Sequence, residues 1–126
     1  MAGVLQIDDR WLLDLAQNYV PGDPDVLDYG ALRAAAARHC HDVMGTLVYA
    51  EARHRAAALL HSLARVPALE HSNAFFSAQV AYSYLQASGL QVTVSVEEAV
   101  GLVASVVEGA LDVRQIATAL KTWTAS

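Results

Sequence analysis

The stretch Ala57-Ala58-Leu59-Leu60-His61-Ser62-Leu63-Ala64-Arg65, followed by Val66-Pro67, decides how this chain is read. From Glu51 to Arg65, residues Ala52, Ala56, Leu59, Leu60 and Leu63 recur at the three- and four-residue spacing of one helical face. Pro67 ends the run, because proline lacks a backbone donor and restricts the residue before it. A helix with so apolar a stripe needs partners to bury it, so the flanking sequence is read for further helices.

Toward the N-terminus, a helix is expected from about Asp28 to His39, with Leu32, Ala35 and Ala36 forming a small-residue face that allows close approach. Before it, Asp8 is placed to cap the amides of Arg10 and Trp11. Trp11, Leu12, Leu15, Ala16 and Tyr19 then recur at helical spacing until Pro21-Gly22-Asp23-Pro24 stops the helix. Toward the C-terminus, Ser72 is expected to cap a helix running through Ser88, ended by Gly89 in the position that favours a left-handed backbone. Leu90 to Val94 alternates apolar residues and reads as a strand-like link. Ser95 with Glu98 three residues on predicts a capping box for a fifth helix, which Gly109 ends. Asp112 caps a last helix through about Trp123. The expectation is an all-α bundle of about six helices joined by short connections, forming a single domain over residues 1–126.

Composition narrows the function classes. The net charge is −5 and Lys121 is the single lysine, which argues against a nucleic-acid footprint built on clustered Lys and Arg. No apolar run approaches the ~18 residues of a membrane span. The richest, Ala99 to Val107, is bracketed by Glu97, Glu98 and Glu108. The N-terminus shows no basic region followed by an apolar core, so a cytoplasmic location is expected. Cys40 is the one cysteine, which excludes an internal disulfide. A hydrophobic content of 55% suggests a covered face, shared with a second copy or another chain.

Asp28-Tyr29-Gly30-Ala31-Leu32 and the phrase Ala57 to Arg65 resemble the entry to the death-on-curing (Doc) branch of the Fic family. In that family the next residues form the signature loop H-P-F-x-D-G-N-K-R, followed by an apolar helix ending in glycine. Here Ser77 to Ala87 and then Ser88-Gly89-Leu90 fall where that helix and glycine fall. Val96-Glu97-Glu98 through Gly109, and Asp112 to Leu120, match the closing helix pair. The resemblance implies a Fic/Doc-like helical bundle. It also places Pro67 at the family's catalytic histidine, Leu69 at its phenylalanine, His71 at its metal-linked aspartate and Ser72 at its loop glycine. Asn73 is retained, and Ala74 and Phe75 stand at the basic pair.

Each replacement removes a chemical role. Proline has no titratable group, so residue 67 cannot act as a general base. Imidazole at 71 is a poor substitute for a hard carboxylate on Mg²⁺. Ala74 and Phe75 offer no positive charge to a developing phosphoryl anion. Helix N-terminal amides with Ser72 and Asn73 leave at most a weak anion site. The reading is therefore a catalytically degenerate Doc-like protein, a pseudoenzyme derived from a toxin–antitoxin toxin that acts as a binding or regulatory module. No catalytic residue, metal or cofactor is expected. Its partner is expected to be a protein, antitoxin-like or a second copy, with no nucleic acid and no membrane. The resemblance implies helix-in-groove docking for such a partner. The alternative is an enzyme, with two forms. One is a divergent Doc-like kinase or nucleotidyltransferase acting on a protein hydroxyl with ATP and Mg²⁺. The other is a scaffold turned to a new reaction, with His71 as acid–base group beside Asn73 and Glu70 and with Arg65 pointing in.

His39-Cys40-His41-Asp42 contains four residues able to ligate zinc, but adjacent residues at a helix end diverge, and a helix C-terminus decorated with histidines is the preferred reading. Cys40 reads as a packing residue. His54 and His61 lie two turns apart on roughly one face, with His61 in a packing role. Of the aromatic residues Phe75, Phe76, Tyr82 and Tyr84, the two tyrosines cannot both face inward.

Overall fold

The computed structural model describes residues 4–124. It contains six helices, α1 (Asp9–Tyr19), α2 (Tyr29–His39), α3 (Ala52–Arg65), α4 (Asn73–Ala87), α5 (Val96–Val107) and α6 (Val113–Trp123). The all-α expectation holds, with one addition. Asp42–Val43 (β1) and Thr46–Leu47 (β2) pair as a small antiparallel hairpin, Asp42 opposite Leu47 and Val43 opposite Thr46. Its turn residues, Met44 and Gly45, have φ of 52° and 83°, the left-handed values that a two-residue hairpin turn requires. Strands this short carry no alternation for a sequence reading to detect.

Helix α3 forms the axis of the bundle and touches α2, α4, α5 and α6. Arg55 to Leu60 are all buried, and six consecutive residues cover the whole circumference of a helix at 3.6 residues per turn. The single apolar stripe expected for this segment is therefore only part of its buried surface. Around it pack Leu32, Ala35 and Ala36 of α2, Phe76, Val80, Ala81, Tyr84 and Leu85 of α4, Val103 and Val106 of α5, and Ile116 and Leu120 of α6. Helix α1 closes the bundle against α2 and α4 with Leu12, Leu15 and Ala16, while Tyr19 is exposed. Among the described residues no helix is long and apolar enough to cross a membrane.

The helix ends follow local chemistry, with three departures from expectation. The Asp8 side chain accepts from the Trp11 amide, and Asp28 accepts from Ala31. Gly89 and Gly109 adopt φ of 93° and 80°, and Leu90 and Ala110 donate back to Leu85 and Ser105, closing both helices. Ser72, in contrast, occupies the N-cap position of α4 without a side-chain cap bond. The Ser95 hydroxyl accepts from the Glu98 amide, but the return bond from Glu98 is not made, so that capping box is only half formed. The complete box lies at α6, where Asp112 and Gln115 bond each other's amides. The third departure is Leu90 to Val94. It forms no strand; Thr93 donates to the Trp123 carbonyl at 2.8 Å instead.

Candidate functional site

The segment between α3 and α4 is held from two sides. Val26 and Leu69 form an isolated antiparallel bridge. Leu27 and Asp28 donate to the Ala68 carbonyl at 2.8 and 3.1 Å, and Glu70 donates to Asp25 at 2.9 Å. The Glu70 carboxylate accepts from the Asp25 amide at 3.0 Å. From the other side, Asn73 Oδ1 accepts from the amides of Ala68 and Leu69 at 3.1 and 3.0 Å, and its Nδ2 donates to the Leu69 carbonyl at 2.9 Å. One amide side chain thus satisfies three backbone groups of a buried turn, where orphaned groups would each be costly. Asn73 holds the loop rather than facing out of it.

Ser72 has φ of 63° and ψ of 28°, a left-handed conformation that glycine adopts freely and serine does not. It stands where the resemblance places the loop glycine, so the backbone turn is present although the residue that suits it is not. Its hydroxyl lies 2.8 Å from His71 Nδ1. His71 is exposed, and its ring sits over Gly22, where an added Cβ would lie 3.0 Å from Cε1. A hydroxyl beside an imidazole is one element of nucleophilic catalysis, but such a pair also needs a third group to orient the base. Here the other ring nitrogen makes no hydrogen bond among the described residues.

The groups named for the alternative acid–base reading are not brought together. His71 bonds Ser72 and not Asn73, and the Glu70 carboxylate is turned to Asp25. Arg65 lies over the turn between α5 and α6, where a Cβ on Gly109 would meet its guanidinium at 2.9 Å. Pro67 is exposed, Leu69 and Phe76 are buried in the core, and Ala74 and Phe75 are partly buried against it. The residues present do not fit Mg²⁺. A neutral or cationic ring stands where a carboxylate is needed, and among the described residues no three His, Cys, Asp or Glu side chains cluster to hold a metal ion. Ser72 and Asn73 also make a poorer anion site than expected, since most of their hydrogen-bonding capacity is used within the loop.

The remaining candidates disperse. His39 is not a surface decoration of a helix end; it is fully buried. Its Nε2 accepts from the Ile7 amide at 3.0 Å and its Nδ1 bonds the Ala36 carbonyl, which assigns the proton to Nδ1. Burial lowers its pKa, the bond to Ala36 opposes that shift, and the Arg55 charge adds to it. Cys40 contacts the Ala36 carbonyl at 3.4 Å, and His41 and Asp42 are exposed. His61 Nδ1 lies 2.8 Å from Arg38, which also donates to Ser62 at 3.0 Å. Partial burial and then the charges of Arg38 and Arg65 lower its pKa. Tyr84 is buried and Tyr82 only partly so, as the helical spacing requires.

A buried polar network escaped the sequence reading. Arg55, only 5% exposed, donates to the Tyr84 hydroxyl at 2.7 Å and to the carbonyls of Tyr49 and Ala50 at 3.1 and 2.7 Å. Tyr84 in turn donates to the Leu5 carbonyl at 2.5 Å, and the His39 ring meets Tyr84 edge-on. Chain entry, hairpin exit and bundle core are tied together through these three side chains. One signal was available: His39 continues the Leu32, Ala35, Ala36 stripe at helical spacing.

No protein-family model matches the chain. Among curated proteins, Toxin Doc of Mycolicibacterium smegmatis is 41% identical over 71 residues, covering 56% of this chain and 55% of that protein. The match thus spans about half the length of the curated relative.

Proposed function

From the premise of a Fic/Doc family relationship, which the similarity to Toxin Doc supports, we propose that this chain is a Doc-like protein whose transferase chemistry is lost. Its remaining role is that of a binding or regulatory module with a protein partner of the antitoxin kind. The observation that carries the reading is the loop of residues 66–73. No group at Pro67 can take a proton, no basic side chain follows Asn73, and the one retained signature residue is occupied in bracing the loop. Its framework is kept while its reactive groups are not, which is the pattern of a scaffold retained for contact. A place for that contact is the hollow of about 260 Å³ between α4 and α5, lined by Ala78, Tyr82, Val94, Val96, Ala99 and Val100 among others. Its apolar lining suits the apolar face of a partner helix.

Titration with Mg²⁺-ATP followed by backbone amide NMR tests the loss of chemistry. The expected result is no saturable change centred on Ser72 to Phe75 and no label passed from ATP to protein in a cell extract. Saturable shifts there together with transferred label would overturn the reading. Affinity capture from the native cell, followed by gel filtration, tests the partner. A stable complex is expected, broken by Val100→Glu at the partly exposed wall of the hollow.

A further inference from the structure

The chain carries eight Lys and Arg residues against thirteen Asp and Glu, yet three of the eight line one hollow. Arg53, Arg114 and Lys121 surround a space of about 170 Å³ between the first turn of α3 and the outer face of α6, together with His54, Glu51, Ala117 and Thr118. A second hollow of about 230 Å³, lined by Val48, Tyr49, His54, Val113 and Arg114, shares His54 and Arg114 with it. The two hollows are neighbours, one more cationic and the other more apolar, and are treated together as a groove.

Helix electrostatics do not account for these charges. Lys121 sits in the last turn of α6, where the macrodipole favours a cation. Arg53 and Arg114, however, each occupy the second position of their helix, where the dipole disfavours one. Nor do carboxylates pair with them. Among the described residues the one ion pair joins Arg33 to Asp9, and Glu51, though it lines the same hollow, bonds none of the three. Glu51 also leaves the amides at the start of α3 without a side-chain cap. Arg53 is held in place, its Nε donating to Thr124 Oγ1 at 2.9 Å. In a chain of net charge −5, three cations lining one hollow without an ion pair among the described residues, beside an uncapped helix start, make a local positive patch suited to an anion.

We propose that this groove binds a phosphate-bearing small molecule, with the phosphate among Arg53, Arg114 and Lys121 and the organic part over Val48, Tyr49 and Val113. Two arginines with a lysine supply forked and point-charge donors to a dianion. The groove begins at the N-terminus of α3, whereas the loop at Pro67 follows its C-terminus. A helix of 14 residues puts about 20 Å between them, so the proposal stands apart from the loss of transferase chemistry.

Amide NMR titrations with inorganic phosphate and with phenyl phosphate, at constant ionic strength, test it. Phenyl phosphate is expected to saturate below about 1 mM with shifts centred on Arg53, His54, Arg114 and Lys121. Inorganic phosphate is expected to shift the same amides more weakly, because it leaves the apolar end empty. Arg114→Gln and Lys121→Gln are each expected to weaken binding about tenfold, and Arg33→Gln, at a residue that lines neither hollow, is expected to leave it unchanged. Equal affinity for phenyl phosphate and benzoate would overturn the assignment to phosphate. Shifts that merely follow added sodium chloride, or that survive both substitutions, would overturn the site itself.

Discussion

His39 makes stability depend on pH in a direction that the structure specifies. In the folded chain its Nε2 accepts from the Ile7 amide, so a second proton would set one N–H against another, in a buried site facing the Arg55 charge. The folded pKa is therefore depressed below the ordinary value near 6.5, which the unfolded chain retains. Between those two pKa values the unfolded state binds one more proton than the folded state, so stability rises with pH across that interval. It is fully present above the unfolded value and lost as pH falls through the window, by at most about 1.4 kcal/mol per pH unit for this one group. Carboxylates titrate mainly below about pH 5, which leaves the interval from about 6.5 to 5.5 clear for histidine. Urea unfolding followed by far-UV circular dichroism at several pH values reads the slope. His39→Gln is expected to cost about 1–3 kcal/mol at pH ~8, from imperfect replacement of two buried hydrogen bonds. It is also expected to flatten the slope below pH ~6.5, by at most about 1.4 kcal/mol per unit. His61, also depressed and less buried, adds to the wild-type slope in the same sense, and His61→Gln separates its share. A His39→Gln slope identical to that of the wild type would refute the reasoning.

Three further outcomes follow from the loop and the core. Asn73→Ala removes three hydrogen bonds from the turn at Ala68 and Leu69 and is expected to cost about 2–3 kcal/mol, with faster hydrogen exchange at both amides. Ser72→Gly relieves the left-handed strain at φ 63° and is expected to raise stability by about 0.5 kcal/mol in the same urea assay, net of the greater freedom of the unfolded chain. Arg55→Met keeps the bulk of the side chain but strands the carbonyls of Tyr49 and Ala50 and the Tyr84 hydroxyl. A loss of about 3 kcal/mol is expected, read as a lowered melting temperature.

The sequence by itself determined the helices and their order. Apolar residues at three- and four-residue spacing, aspartates ahead of helices, and Pro67, Gly89 and Gly109 at or beyond their ends are local signals, read over a few residues at a time. It also determined which reactive groups are missing at the loop, because side-chain identity settles that Pro67 cannot accept a proton. Tertiary structure alone decided what the remaining polar residues do. Asn73 stands in the sequence as a retained signature residue, and only the packed loop turns its amide inward to Ala68 and Leu69. His39 looked like the decorated end of a helix until Ile7, 32 positions away, came to donate to it. Arg114 and Lys121 lie two turns apart on one face of α6, but Arg53 joins them only because α6 lies against α3. Hydrogen bonds and charges between distant segments leave no periodicity in the sequence, since the chain must first pay the entropy of bringing those segments together before any such contact exists.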